Sequence, residues 1–230
     1  MLRMASMFPV LLFVPITVGA ITIPGTSNIW LAGMPPGTVA GGADKAPDHS
    51  PVQYPGAVAG FPFWFEFYAT GAVSNGGCCP LVGPDGDASF TVPAFAPENG
   101  ISSINAPVNA LVGVFLDDSD PSLTPPPGGL DFFGPGALDF IDFYPLLKQV
   151  FFIGDGMTAA AVPQVFWAPS GATRLFFGTI DGYEWNNNLG SFEVEVRIGV
   201  IDVFVPEPST WLFVAGGLAL AGALRPFSKA

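Results

Sequence analysis

The segment Asp181-Gly182-Tyr183-Glu184-Trp185-Asn186-Asn187-Asn188-Leu189-Gly190-Ser191-Phe192-Glu193-Val194-Glu195-Val196-Arg197-Ile198 joins two patterns. From Phe192 onward, apolar and charged residues alternate. Phe192, Val194, Val196 and Ile198 fall on one face and Glu193, Glu195 and Arg197 on the other, the period of a half-buried strand. The valine face is predicted to be core. Ahead of it, Asp-Gly, three consecutive asparagines and Leu-Gly are turn chemistry, so the strand is entered from a polar loop.

Working outward, further short strands are predicted over Phe61–Thr70, Phe90–Phe95, Asn109–Leu116, Gln149–Gly154, Gln164–Ala168 and Ala172–Ile180. In the first, Phe63, Phe65 and Phe67 share a face opposite Trp64, Glu66 and Tyr68. Ile29-Trp30-Leu31 reads as an edge strand. The Gly/Pro/Ala stretch that follows, through Gly60, is expected to be extended and to hug the surface, because Pro35, Pro36, Pro47, Pro51 and Pro55 exclude a helix or a central strand. Its histidine, His49, receives no role. A turn or two of helix is expected between Leu138 and Gln149. Helical periodicity is otherwise nearly absent, and aromatics with valine dominate the apolar runs. The pattern predicts an all-β chain, an antiparallel β-sandwich or jelly roll, without a repeat period.

The loop before the strand gathers hard oxygens. Calcium takes six to eight of them from carboxylates, amides, backbone carbonyls and hydroxyls. Asp181 offers charge, Asn187 and Asn188 offer side-chain carbonyls, and the backbone at Glu184 offers another oxygen. Composition alone equally describes a polar surface loop.

The run Asn187-Asn188-Leu189-Gly190-Ser191-Phe192, with Asp181 upstream and an alternating strand after it, resembles the calcium-dependent galactose lectins of the PA-IL type. Gly71-Ala72-Val73-Ser74-Asn75-Gly76, followed by Gly83-Pro84-Asp85-Gly86-Asp87, is similar to the distant calcium loop of that family and its Gly-Pro-x-Gly-Asp run. The resemblance implies calcium held by Asp181, the Glu184 backbone, Asn187 and Asn188, a remote carbonyl from Asn75, and sugar hydroxyls completing the ion. Two departures stand out. The spacing from Asp181 to Glu184 is one residue shorter than in those lectins. Where they carry a sugar-contacting histidine and glutamine, this chain has Ala88-Ser89-Phe90, so galactose specificity does not carry over. Tyr183 and Trp185 flank the loop as candidate ligand-binding rings, able to pack on sugar C–H faces or to anchor the loop to the domain.

The two ends carry export signals. Met1-Leu2-Arg3, the apolar run Phe8–Val18 and Val18-Gly19-Ala20 read as a secretory signal peptide over residues 1–20. Val205-Pro206-Glu207-Pro208-Ser209-Thr210, an apolar run Trp211–Leu224 and then Arg225 and Lys229 closely resemble the PEP-CTERM sorting tail of Gram-negative envelope proteins. That resemblance implies recognition of Pro206-Glu207-Pro208 by an exosortase-type enzyme. The apolar run spans about 21 Å as a helix, against about 30 Å of hydrocarbon, a marginal transmembrane anchor. Trailing positive charge favours a cytoplasmic C-terminus and an external domain. The expected organisation is signal peptide 1–20, a lectin-like β-sandwich over 21–205 and a sorting tail over 206–230.

Between Ile21 and Val205 stand eighteen acidic residues and four basic ones, Lys45, Lys148, Arg174 and Arg197, a net of about −14. Such a field disfavours nucleic acid and suits divalent cations. Cys78-Cys79 is compatible with a vicinal disulfide, free thiols or intermolecular pairing. Asp117-Asp118-Ser119-Asp120 is either a second calcium loop or a plain turn; an EF-hand needs a glycine and a closing glutamate that are missing. No nucleophile–base pair or nitrogen/sulfur metal set argues for an enzyme. The expectation is an exported, calcium-dependent module binding exopolysaccharide. The alternative is a structural surface or matrix protein with at most a structural calcium.

Overall fold

The computed structural model describes residues 16–77, 79–89 and 96–200. The sorting tail, the start of the signal peptide, the strand expected over Phe90–Phe95 and Cys78 lie outside the described residues. In chain order the strands are β1 (Ile16–Pro24), β2 (Val39–Ala40), β3 (Asp44–Lys45), β4 (Val52–Gln53), β5 (Phe63–Ser74), β6 (Ile104–Asn105), β7 (Leu111–Leu116), β8 (Leu130–Asp131), β9 (Asp142–Phe143), β10 (Val150–Phe152), β11 (Val165–Trp167), β12 (Arg174–Thr179) and β13 (Leu189–Val200). They form a five-stranded sheet, β1-β13-β5-β11-β9, a four-stranded sheet, β10-β7-β12-β4, and the small pairs β2-β3 and β6-β8. Pairing is antiparallel except for β9 with β11 and β6 with β8.

The alternation in β13 is realised as expected. Phe192, Val194 and Val196 are completely buried, and the strand pairs along its whole length with β5, Leu189 opposite Ser74 through Val200 opposite Phe63. Phe65 and Phe67 of β5 point the same way. They meet Phe115 of β7 at 5.5 Å and Phe177 of β12 at 5.4 Å between ring centroids, while Phe151 of β10 meets Phe166 of β11 at 5.5 Å. The two sheets thus face each other across a layer built largely of phenylalanine. Each buried ring contributes roughly 1.5–3 kcal/mol by leaving water, and its tilted or edge contacts add to that.

Strand β7 has no polar face. Leu111 and Phe115 belong to this inter-sheet layer, whereas Val112, Val114 and Leu116 belong to a second apolar cluster with Trp30, Leu31, Ile104, Phe132 and Trp185. The four-stranded sheet is therefore covered on both sides, on its outer side by loops and by the start of the Pro/Gly-rich segment. The outer face of the five-stranded sheet stays polar: Arg197 lies 4.1 Å over the Tyr68 ring, and Thr22 Oγ1 donates to Glu193.

Two local expectations are corrected. Ile29–Leu31 is a single 3-10 turn, because the Asn28 side chain accepts from Trp30 N–H and caps it, and three apolar residues carry no period that would tell a strand from a buried turn. No helix forms between Leu138 and Gln149. The Leu138 and Phe140 carbonyls accept from Gln164 Nε2 instead of from a helical N–H, and Asp142–Phe143 pairs with β11. Among the described residues no helix is long and apolar enough to cross a membrane. Strand β1 pairs with β13 from Ile16 onward, so it includes the last residues assigned to the signal peptide.

Candidate functional site

The asparagine loop bridges the two sheets. It leaves the four-stranded sheet after Thr179 and enters the five-stranded sheet at Leu189, with a 3-10 turn over Trp185–Asn187 between them. Trp185 fixes this turn. It is fully buried, its Nε1–H donates to Thr179 O at 2.9 Å, and its ring meets Trp30 edge-on at 5.6 Å. Of the two rings expected to face a ligand, Trp185 is therefore corrected to an anchor, and only Tyr183, 63% exposed, faces outward. Both rings need the glycines opposite them. A Cβ on Gly41 would sit 2.4 Å from Trp185 Cζ3, one on Gly42 2.6 Å from Tyr183 Cε2, and both residues have positive φ.

Asp181 is buried at the start of the loop. Its Oδ1 accepts from Gly182 N–H and, at 3.4 Å, from Tyr183 N–H, whereas its Oδ2 is buried without a hydrogen-bond partner. Burial pushes the carboxyl above its ordinary value; the Gly182 N–H and the neighbouring Asn188 amide oppose the rise, and the charge of Asp44 adds to it. Asn188, also buried, donates from Nδ2 to Gly25 O at 3.0 Å and leaves its own Oδ1 without a partner.

The remote segment arrives beside these groups. Leu189 pairs with Ser74, so Asn75 follows one residue past the end of β5, level with Asn188, which immediately precedes β13. A Cβ on Gly76 would lie 3.4 Å from Asn187 Oδ1, and Asn187 itself is exposed. Ser74 Oγ donates to Gly76 O and helps shape the turn. Glu184 sits in the left-handed region, φ 65°, with no side-chain cap of its own. Asp181 thus neighbours Asn188, each with one buried, orphaned oxygen, and the Asn75–Gly76 turn lies against Asn187. No group of three or more His, Cys, Asp or Glu side chains suited to a metal occurs among the described residues. A cation here would instead rest on one carboxylate with amide and backbone oxygens, the donor set of a hard ion such as calcium.

Sequence reasoning missed Asp44 of β3. It is completely buried; its Oδ2 accepts from Trp185 N–H at 2.9 Å and from Asn28 Nδ2 at 3.3 Å, and its Oδ1 from Asn186 N–H at 3.2 Å. His49 Nδ1 lies 3.5 Å from Oδ1. Asp44 therefore caps the 3-10 turn from 141 residues away in the chain. Nothing local to the loop announces it.

The other acidic candidates are explained by local bonding. The Arg174 guanidinium donates to the backbone carbonyls of Asp117 and Ser119, at 2.7 Å to the latter, so an internal cation lines the turn. The carboxylates of Asp117 and Asp120 accept from the hydroxyl and N–H of Ser119 and Ser122, which holds both below the usual carboxylate range. In the Gly-Pro-x-Gly-Asp run, Asp85 Oδ1 accepts from Asp155 N–H at 2.9 Å and Asp87 N–H donates to Val108 O at 2.8 Å, a structural brace.

Comparison with family models, curated proteins and solved structures finds no match to this chain.

Proposed function

We propose that this chain is an exported, calcium-dependent carbohydrate-binding module with a β-sandwich, lectin-like fold. One observation carries the reading: the unpartnered Asp181 Oδ2 and Asn188 Oδ1 are buried in the same loop, beside Asn187 and the turn that carries Asn75. An unsatisfied buried oxygen costs about 1–3 kcal/mol, and a calcium ion removes that cost for both. Asp181, the Glu184 backbone, Asn187, Asn188 and the Asn75 carbonyl would hold the ion, and vicinal hydroxyls of an exopolysaccharide would complete it. Tyr183, exposed at the rim, would stack on the sugar.

A second reading, a structural surface or matrix protein with at most a structural calcium that stiffens the loop, draws support from the burial of Trp185, which leaves Tyr183 as the one exposed ring of the pair. Calorimetric titration of the protein with calcium, then with neutral oligosaccharides in calcium and in chelator, separates the two. Saccharide heat that needs calcium supports the lectin reading. Calcium heat without any saccharide response, or no calcium heat at all, leaves the structural one and removes the lectin reading.

The ends extend the proposal to the envelope, with export by the signal peptide, transient anchoring by the tail and processing at Pro206-Glu207-Pro208 by an exosortase-type enzyme. An epitope placed after Ala230 should be lost on maturation in the host and retained in a Glu207→Ala variant. Retention of the epitope in the native chain would count against processing.

A further inference from the structure

We propose that Asp44 is a charged residue behind the cation site, a positioning residue that holds the asparagine loop in its ion-binding form and adds its negative charge to the field there. The inference rests on the calcium reading above and adds a residue that the resemblance does not supply.

The geometry has two parts. Through its two carboxylate oxygens Asp44 fixes the N–H groups of Trp185 and Asn186, the first turn of the segment that ends in Asn187 and Asn188. Glu184, the residue at the cap position, makes no such bond. The direction in which Asn187 and Asn188 present their oxygens is thus set by a residue on β3. Second, Asp44 and Asp181 are both buried, and the field of Asp44 is felt at Asp181.

Two carboxylates out of water repel each other and call for a counter-charge. The charged or titratable groups around them give little: His49 lies 3.5 Å from Asp44, Lys45 points into solvent, and Glu98, which accepts from Gly41 N–H, together with Glu184 adds further negative charge. The orphaned Asp181 Oδ2 and Asn188 Oδ1, independently of charge, show where the counter-ion belongs.

The test compares calcium with terbium on the intact protein, by calorimetry and by terbium luminescence sensitised through Trp185 and Tyr183. Asp44→Asn should weaken calcium by about 10- to 100-fold, the usual cost of losing an outer-shell partner. Because Coulomb energy scales with ion charge, the loss for terbium on a logarithmic scale should be about 1.5 times that for calcium. A carboxylate acting only as a structural brace would weaken both ions equally.

His49→Arg covers the case in which Asp44→Asn does not fold. It sets a permanent positive charge beside an intact Asp44, leaves the bonds to Trp185 and Asn186 in place, and should show the same calcium-to-terbium ratio. Wild-type affinity in Asp44→Asn, or equal losses for the two ions, would overturn the assignment of Asp44 alone. Failure of the native protein to bind either ion would overturn the calcium reading with it.

Discussion

Replacing Asp181 by asparagine should move stability in opposite directions with and without calcium. The substitution keeps Oδ1 as the acceptor for Gly182 and Tyr183 N–H, and replaces the orphaned Oδ2 by an N–H₂ group next to the Asn188 amide. Without calcium it removes a buried carboxylate oxygen that has no partner, and relief of that penalty should stabilise the protein by about 1–3 kcal/mol. With calcium at a hundred times its dissociation constant the native chain gains about 2.7 kcal/mol by mass action, and the variant should gain little. For a domain of this size each kcal/mol shifts the thermal midpoint by about 2–4 °C. In chelator the variant should therefore melt about 2–12 °C above the native protein. The calcium-induced rise of about 5–11 °C in the native protein should be lost. Differential scanning calorimetry in calcium and in chelator reads all four values. A variant less stable than the native chain in chelator would show that Oδ2 is satisfied, and would remove the argument that the site lacks a cation.

The pH dependence has a definite sign. The native carboxyl of Asp181 lies above its ordinary value, so the folded state binds this proton more tightly than the unfolded state. Stability of the calcium-free protein should fall as pH rises from the ordinary aspartate value through the raised native one, a slope that Asp181→Asn should flatten in urea titrations. Gly41→Ala should cost more than about 2 kcal/mol, since its Cβ would strike Trp185 at 2.4 Å from a residue with positive φ; chemical denaturation showing less than half of that would mean the Trp185 ring shifts freely. Arg174→Ala should lower the thermal midpoint, and calcium should not restore it, because the turn then keeps its carbonyls but loses the guanidinium that fits them; full rescue by calcium would restore that turn as an ion site. Phe67→Ala, at the crossing of the two sheets, should destabilise by about 3–5 kcal/mol, and a loss under 1 kcal/mol in urea unfolding would contradict the inter-sheet packing.

The sequence by itself determined those parts whose physics is local. β13 and the inner face of β5 were legible because strict alternation permits only one partition of Phe192, Val194, Val196, Phe65 and Phe67 between core and water. The polar loop ahead of β13 was legible for a similar reason, since Asp-Gly and a run of three asparagines are turn chemistry. Tertiary structure decided what depends on partners distant in the chain. Ile29–Leu31 turns instead of extending because of the Asn28 cap beneath the second cluster, and Leu138–Phe143 forms no helix because Gln164 claims the Leu138 and Phe140 carbonyls. Trp185 became an anchor rather than a sugar platform because Trp30 and the Thr179 carbonyl close over it. Asp44, one acidic residue in a Pro/Gly-rich stretch, acquired a role only when β3 folded against the loop. Its bonds join residues 141 and 142 positions apart, and no local periodicity or composition encodes a contact at that range.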